Sequence, residues 1–322
     1  MNSSNLKSSI DAHINSLGLA EREPSNLYKP MEYILSLKGK RIRPILTLLA
    51  YQAVSDKPMS DAMNLACSVE LFHNFTLMHD DIMDRAPVRR GKPCVHVVWG
   101  EDVAILSGDA LFALSMELVV EGFPERAAAL CKGFTRIAMG VCEGQMEDMD
   151  FASQQLVSIP QYLEMIRKKT AVLLGGCLSL GALAGGASQE LVEQFRTYGE
   201  SLGIAFQLQD DLMDAFPPEG FGKQVGGDII ENKKTYLLLK AQELASPSQQ
   251  ARIQDFLAMT DPASEKVSGM LKLFQELNIK SLTQELIQRY FDRAKQAGEV
   301  LAKQTKFLPI EHYLQEIIDR KV

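Results

Sequence analysis

The chain has 322 residues, which allows one large domain or two small ones, and with 46% hydrophobic residues it can bury a substantial core. A formal charge of -7 argues against a general nucleic-acid surface, because gripping a phosphate backbone needs a basic footprint. Five cysteines without CxxC spacing indicate neither a zinc site nor a disulfide framework, and they fit a reducing cytosol, so a cytoplasmic location is expected.

The amino-terminal stretch MNSSNLKSSIDAHINSLGL lacks the basic start and continuous apolar core of a signal peptide. From there helical periodicity dominates. The runs YILSLKGKRIRPILTLLAYQAV, LACSVELFHNFTLMHDD, DVAILSGDALFALSMELVVEGF, RAAALCKGFTRIAMGVCEGQMEDM, ELVEQFRTYGESLGIAFQLQDDLMD and ELIQRYFDRAKQAGEVLAKQ repeat apolar residues at the 3.6 period. Breaks marked by Pro or Gly fall at residues 85–94, 122–125, 186–188 and 215–228. CVHVVWG is the only β-rich run and fits either a short extended link or the opening of the following helix. Residues 171–189, AVLLGGCLSLGALAGGASQ, carry no charge and approach bilayer-spanning length. Their five glycines favour a buried central helix with close neighbours over a membrane span. With no linker or low-complexity block, the expectation is an all-α fold: one domain over residues 1–322, a single large bundle of ten or more helices around a central cavity.

Two stretches work against helix stability. MHDDIMDRAPVRRGKP, residues 78–93, puts Asp80, Asp81 and Asp84 in or near the last turn of a helix that Pro87 cannot continue, where the macrodipole disfavours anions. On the wheel Asp80 and Asp84 are about 40° apart and roughly 6 Å along the axis, with Asp81 on the flank. FQLQDDLMDAFPP, residues 206–218, repeats the arrangement with Asp210, Asp211, Asp214 and a stop at Pro217. A bound cation turns such repulsion into shared coordination. Oxygen-only ligands suit Mg²⁺, which keeps waters and completes its shell with phosphate oxygens. Two facing acidic sites holding a phosphorylated ligand through Mg²⁺ are therefore expected.

Positive charge sits where an anion would need it. GKRIRP gathers Lys40, Arg41 and Arg43, and RRGK gathers Arg89, Arg90 and Lys92. FGKQVGGDIIENKKT, residues 221–235, reads as a flexible Gly-rich flap with Lys223, Lys233 and Lys234, and it lacks the GxxxxGK[ST] spacing of a nucleotide loop. His73 lies two helical turns before Asp80 on the same face, whereas His79 points elsewhere. No GxSxG, HExxH or Cys/His neighbourhood offers a nucleophile or a zinc site.

Paired DDxxD motifs, GKRxRP before the first, RRGKP after it, and FQxQDDxxD followed by GKxxGGD and NKKT resemble the all-trans isoprenyl diphosphate synthases, over residues 39–240 and in the same order. The resemblance implies the isoprenoid synthase fold and a Mg²⁺-dependent condensation of isopentenyl diphosphate with an allylic diphosphate. It makes Asp80, Asp84 and Asp210 the metal ligands, with Asp81, Asp211 and Asp214 completing or orienting the shells and Lys169 joining the catalytic set. Lys40, Arg43, His73 and Arg90 match the isopentenyl diphosphate positions. Arg89, Lys169, Thr170, Gln207, Lys223 and Lys233 match the allylic-diphosphate positions. A homodimer is also implied. Class I terpene cyclases share one DDxxD, but their second metal motif is of the NSE type; non-catalytic partner subunits typically lose metal ligands that this chain retains. Residues 85–88, RAPV, depart from members that carry acids there, which bears on subfamily more than on activity. Phe75, five positions before Asp80, and Phe72 behind it match the family's chain-length floor, although an ideal wheel turns Phe75 about 140° from Asp80. Products of fifteen to twenty carbons are expected, with geranylgeranyl favoured over farnesyl diphosphate.

Overall fold

The long periodic runs become α-helices in the computed structural model, which describes residues 3–217, 225–259 and 263–319. In chain order they are α1 (Ser3–Ser16), α2 (Ser25–Ser36), α3 (Ile42–Val54), α4 (Met63–Met83), α5 (Val95–Trp99), α6 (Glu101–Gly122), α7 (Ala127–Ser153) and α8 (Ile159–Ile166). A π-helical turn, Arg167–Ala171, leads into α9 (Val172–Gly185) and α10 (Gln189–Ala215). The chain continues through α11 (Gly227–Ile230), α12 (Tyr236–Leu244), α13 (Pro247–Ala258), α14 (Ala263–Glu276), α15 (Ile279–Gln304) and α16 (Leu308–Asp319). The all-α expectation holds. The described residues gather into two compact units, one drawn from 1–135, 176–195 and 300–322, the other from 136–175 and 196–299.

In the first unit α4 is the axis. All eight residues from Leu65 to Phe72 are buried, and α6 packs along the helix with α3 beside it. Burying one such large apolar side chain contributes about 1.5–3 kcal/mol. The glycines of α9 serve close approach: a Cβ on Gly181 would lie 2.2 Å from the Thr47 carbonyl oxygen of α3. The buried, charge-free character read for this segment is what the packing requires. Among the described residues, the helix that is long and apolar enough to cross a membrane, by length and composition, is instead the 22-residue α6.

Two local readings change. The run YILSLKGKRIRPILTLLAYQAV is not one helix, because Leu37 is extended (ψ 133°) and Arg41 is left-handed (φ 51°), so α3 starts afresh with Pro44 in its first turn, where proline is tolerated. CVHVVWG, which fits either an extended link or the opening of the following helix, is a short helix at Val95–Trp99 set off from α6 by Gly100, and strand pairing falls elsewhere. That pairing joins β1 (Val88–Arg89) to β2 (Lys92–Pro93) across Arg90 and Gly91, both at positive φ (52° and 75°), as a tight two-residue hairpin turn demands.

The second unit packs α8, α10, α12 and α14 around Tyr162, Ile166, Leu208, Leu212, Leu237 and Phe274. Ser158 and Ser246 close capping boxes with Gln161 and Gln249 at the starts of α8 and α13. The first unit supplies a test of its helix crossing. Gly181→Ala forces a methyl against the α3 backbone and should destabilise the fold by about 1–3 kcal/mol, read as a lowered Tm.

Candidate active site

The first acidic motif closes α4. Asp84 is the C-cap, and its N–H donates to the Asp80 carbonyl at 2.9 Å. Arg85 then turns left-handed (φ 51°), so its N–H reaches the Ile82 carbonyl at 3.2 Å and the Ala86 N–H reaches that of Asp81 at 2.9 Å. These two bonds make a Schellman closure with arginine where glycine is usual. The three carboxylates part here. Asp81 is 2% exposed, whereas Asp80 is half-buried and Asp84 exposed.

Arg89, from β1, holds Asp81. Its Nε donates at 2.8 Å to both carboxylate oxygens, and its Nη2 lies 2.7 Å from Asp81 Oδ1 and 3.8 Å from Asp80 Oδ2. Burial opposes the Arg89 charge, but the hydrogen bond to Asp81 and the charges of Asp81 and Asp80 together outweigh it, leaving the guanidinium pKa raised. The buried Cys94 thiol is pushed up to about 11 by burial and by its hydrogen bond to Asp81. Asp81 is thus internally satisfied, while Asp80 and Asp84 keep the i, i+4 spacing of one helix face.

The cations of the first unit divide in the same way. Arg41 is buried and spends its donors inside: Nε to Asp11 at 2.8 Å, Nη1 to Glu70 at 2.6 Å and Nη2 to the Leu35 carbonyl at 2.5 Å. Lys40 is exposed. Arg43 Nη1 meets His73 Nε2 at 3.1 Å, and Arg43 Nε is buried with no hydrogen-bond partner among the described residues. Burial, then the charges of Arg43, Arg90, Arg89 and Arg41, drive the His73 pKa well down, so the imidazole is neutral and accepts from Arg43 through Nε2. Arg90 lays its guanidinium over Gly39, where a Cβ would sit 2.9 Å from Nη1, and donates to the Leu37 carbonyl at 3.3 Å. A neutral imidazole among guanidinium groups, one with an unused N–H, suits an anion rich in acceptor oxygens.

Phe72 is 1% exposed in an aromatic cluster with Phe75, Phe112 and Phe134, at centroid separations of 5.6, 5.7 and 5.3 Å. Phe75, half-buried, stacks on Phe112 of α6 at 5.4 Å and meets the His79 ring edge-on at 4.7 Å. His79 is itself fixed by the Ile105 carbonyl at 3.1 Å.

The second motif, in the other unit, also buries its middle aspartate, but it engages its third one as well. Asp211, 5% exposed, takes the Tyr162 hydroxyl on Oδ2 and Gln207 Nε2 on Oδ1 at 3.0 Å; burial raises its pKa against these donors. Thr170 in turn donates to Gln207 Oε1 at 3.1 Å. Asp214 accepts the Gly227 N–H at 3.1 Å and the Asp228 N–H at 3.0 Å, one on each oxygen, and so caps α11. Asp210 is exposed. The stretch read as a flexible flap is, over its described residues 225–235, this short helix and the turn after it; Lys223 lies outside the described residues.

Lys169 and Thr170 sit on the π-helical turn, held close by two glycines. A Cβ on Gly144 would come 2.2 Å from the Lys169 backbone nitrogen, and one on Gly203 would come 2.6 Å from Ala171 Cα. Lys169 Nζ is 2.5 Å from Asp148, and neighbouring Lys168 is 2.5 Å from Glu147. Lys233 Nζ is 3.6 Å from Asp228 Oδ1. Burial acts against the Lys233 charge, and the fields of Asp228, Asp211 and Asp148 outweigh it.

Among the described residues no three His, Cys, Asp or Glu side chains gather as a self-contained metal site. The donor chemistry nevertheless fits Mg²⁺. Asp80, Asp84 and Asp210 are carboxylates that reach solvent, and Mg²⁺ takes one or two carboxylates while water and phosphate oxygens fill the rest. Four residues escaped the sequence reading: Arg41 as an internal tie, Tyr162, Asp148 and Asp228. Only Asp228 had a local signal, in the quoted GGD. Burial, with Asp211 and Asp214 adding to it against Lys233, raises its pKa to about 6. Its folded pKa lies above the unfolded value of 3.8, so its contribution is fully present below pH 3.8 and lost as pH rises through 6. Relative to Asp228→Asn, the parent should therefore lose about 2–3 kcal/mol between pH 4 and pH 7 in paired denaturant titrations.

The polyprenyl synthetase family model matches residues 24–274. The geranylgeranyl diphosphate synthase of Methanosarcina mazei is 37% identical over 316 residues, covering 96% of this chain and 95% of that protein. The geranylfarnesyl diphosphate synthase of Natronomonas pharaonis is 32% identical over 320 residues, covering 94% and 92%. A crystal structure of a geranylgeranyl pyrophosphate synthase superposes with a TM-score of 0.87 at 40% identity, covering 93% of this chain and 92% of that one.

Proposed function

The chain belongs to the polyprenyl synthetase family and is a prenyltransferase, and from that premise we propose that it extends an allylic diphosphate by isopentenyl diphosphate to a twenty-carbon product. The observation that carries this reading is the matched division of the two DDxxD motifs, each with one aspartate locked inside by donors of its own unit and a first aspartate left toward solvent. Asp80, Asp84 and Asp210 are the residues to hold Mg²⁺, which when bound neutralises the charge that builds on departing diphosphate. Arg89, Lys169 and Lys233 are assigned to that anion by their motif positions, with Thr170 and Gln207 as polar contacts; Lys223 belongs to this set in the same way.

Lys40, Arg43, His73 and Arg90 bind the diphosphate of isopentenyl diphosphate. The neutral His73 leaves the positive charge to its arginine neighbours. The allylic carbon–oxygen bond breaks with its electron pair going to the leaving diphosphate, and the isopentenyl double bond attacks the allylic carbon. A proton is then lost from the adduct to the released diphosphate, so no side-chain base is required. We read the whole chain, residues 1–322, as one synthase domain, supported by a family match that runs through both units. A cytoplasmic homodimer completes the reading. Exposed Ile105, Leu106 and Val120 on α6, at 41%, 61% and 45%, support an apolar pairing surface.

Incubation with Mg²⁺, labelled isopentenyl diphosphate and primers of increasing length, followed by sizing of the products, tests the function. A twenty-carbon product should dominate, EDTA should abolish turnover, and Asp80→Asn or Asp210→Asn should lower kcat on the order of 10²–10³-fold. Label that never enters a longer chain removes the reading. Shortening the aromatic at Phe75 with Phe75→Ala should lengthen products by whole five-carbon units; an unchanged distribution excludes Phe75 as the floor.

A further inference from the structure

The hydroxyl of Tyr162 is the most buried polar contact of the second acidic motif. Tyr162 is 2% exposed and donates to Asp211 Oδ2, while Asp211 Oδ1 takes Gln207 and Gln207 takes Thr170. The order is Thr170 to Gln207 to Asp211, with Tyr162 closing the far end. Gln207 and Asp211 stand one turn apart on α10, so they form a single polar strip on one face of that helix.

Both ends of this chain come from one continuous piece of backbone. Tyr162 lies on α8 and Thr170 on the π-helical turn, eight residues later. In an unbroken α-helix those eight residues would leave the two side chains about 80° apart. The wider i→i+5 turn winds less per residue and brings them back toward one face, so both can reach the strip on α10. The glycine contacts at Gly144 and Gly203 leave the π-helical turn no room to slide. Lys169 lies between the two tethers.

We propose that Tyr162 is a positioning residue for the allylic-diphosphate half of the site: its hydroxyl orients Asp211, and through Asp211 and Gln207 it sets where the segment bearing Lys169 and Thr170 stands relative to Asp210. In this arrangement Asp211 is a hub for donors and not a metal ligand. Both its oxygens are taken up from within the protein, and Asp210, next to it, reaches solvent. The proposal rests on the assignment of this region to the allylic substrate.

Tyr162→Phe removes only the oxygen and keeps the packed ring. Steady-state kinetics of the full chain should show KM for the allylic diphosphate and the Mg²⁺ concentration for half-maximal rate both rising about tenfold, with KM for isopentenyl diphosphate within twofold of the parent. Thr170→Val, which cuts the opposite tether, should give the same split, and the double variant should be less than additive because both act through one chain. Equal constants for Tyr162→Phe and parent overturn the proposal, as does a lowered Tm with the split absent. Should Tyr162→Phe fail to fold, Tyr162→His, which keeps a ring with an N–H able to donate to Asp211, decides: both constants should stay within threefold of the parent, and a full tenfold split overturns the proposal. A parent enzyme without chain-elongating activity would instead remove the functional reading beneath it, so the two failures are told apart.

Discussion

A carboxylate taken out of water must find donors or become neutral, and that constraint governs both acidic motifs of this protein. Asp81 meets it with the bidentate guanidinium of Arg89, and Asp211 with a phenol and an amide. The two solutions differ in charge. The first leaves a formally neutral pair, so Asp80 and Asp84 face solvent without a third bare anion beside them. The second meets Asp211 with two neutral donors, and although they and the field of Lys233 favour the carboxylate, burial raises its pKa. Each unit thus separates an inner aspartate, which carries structure, from a first aspartate that reaches solvent, while Asp214 is spent on the N–H groups of Gly227 and Asp228.

The same separation runs through the basic residues. Arg41 and Arg43 are two positions apart, yet one is consumed by Asp11, Glu70 and a backbone carbonyl while the other keeps a buried N–H without a partner. Removing Arg41 costs about 3–5 kcal/mol, because Glu70 is then left buried without its counter-charge. Among the described residues no carboxylate pairs with Arg43, so its charge is available to shape the surroundings of His73. A chain with net charge -7 assembles cationic surfaces for anionic ligands by pairing off some arginines internally and leaving others uncompensated.

Much of this was legible in the amino-acid order. Helix ends at the aspartate motifs follow from Pro87 and Pro217, and the buried α9 from its glycines. The all-α class followed from periodicity alone. What stayed hidden depends on contacts between residues distant in sequence. Nothing near Tyr162 announces that its hydroxyl meets a carboxylate 49 positions later. The π-helical turn uses the ordinary residues RKKTA, since an i→i+5 bond has no composition of its own. The break at Leu37–Arg41 was masked because apolar residues on both sides happen to keep the helical period, and Arg41 takes a left-handed backbone that favours glycine.

The tie from Arg41 to Asp11 gives the first helix a meaning beyond packing. Asp11 belongs to α1, and its carboxylate is one of three acceptors fixing the turn that presents Lys40 and Arg43. Proteolytic clipping anywhere between residues 12 and 24 would carry that acceptor away while leaving every residue of the two aspartate motifs in the chain. Such a trimmed protein would keep every aspartate of the two motifs and yet hold the turn at Lys40 and Arg43 less firmly, so an intact amino terminus belongs among the conditions for a fixed arrangement of the cations near His73.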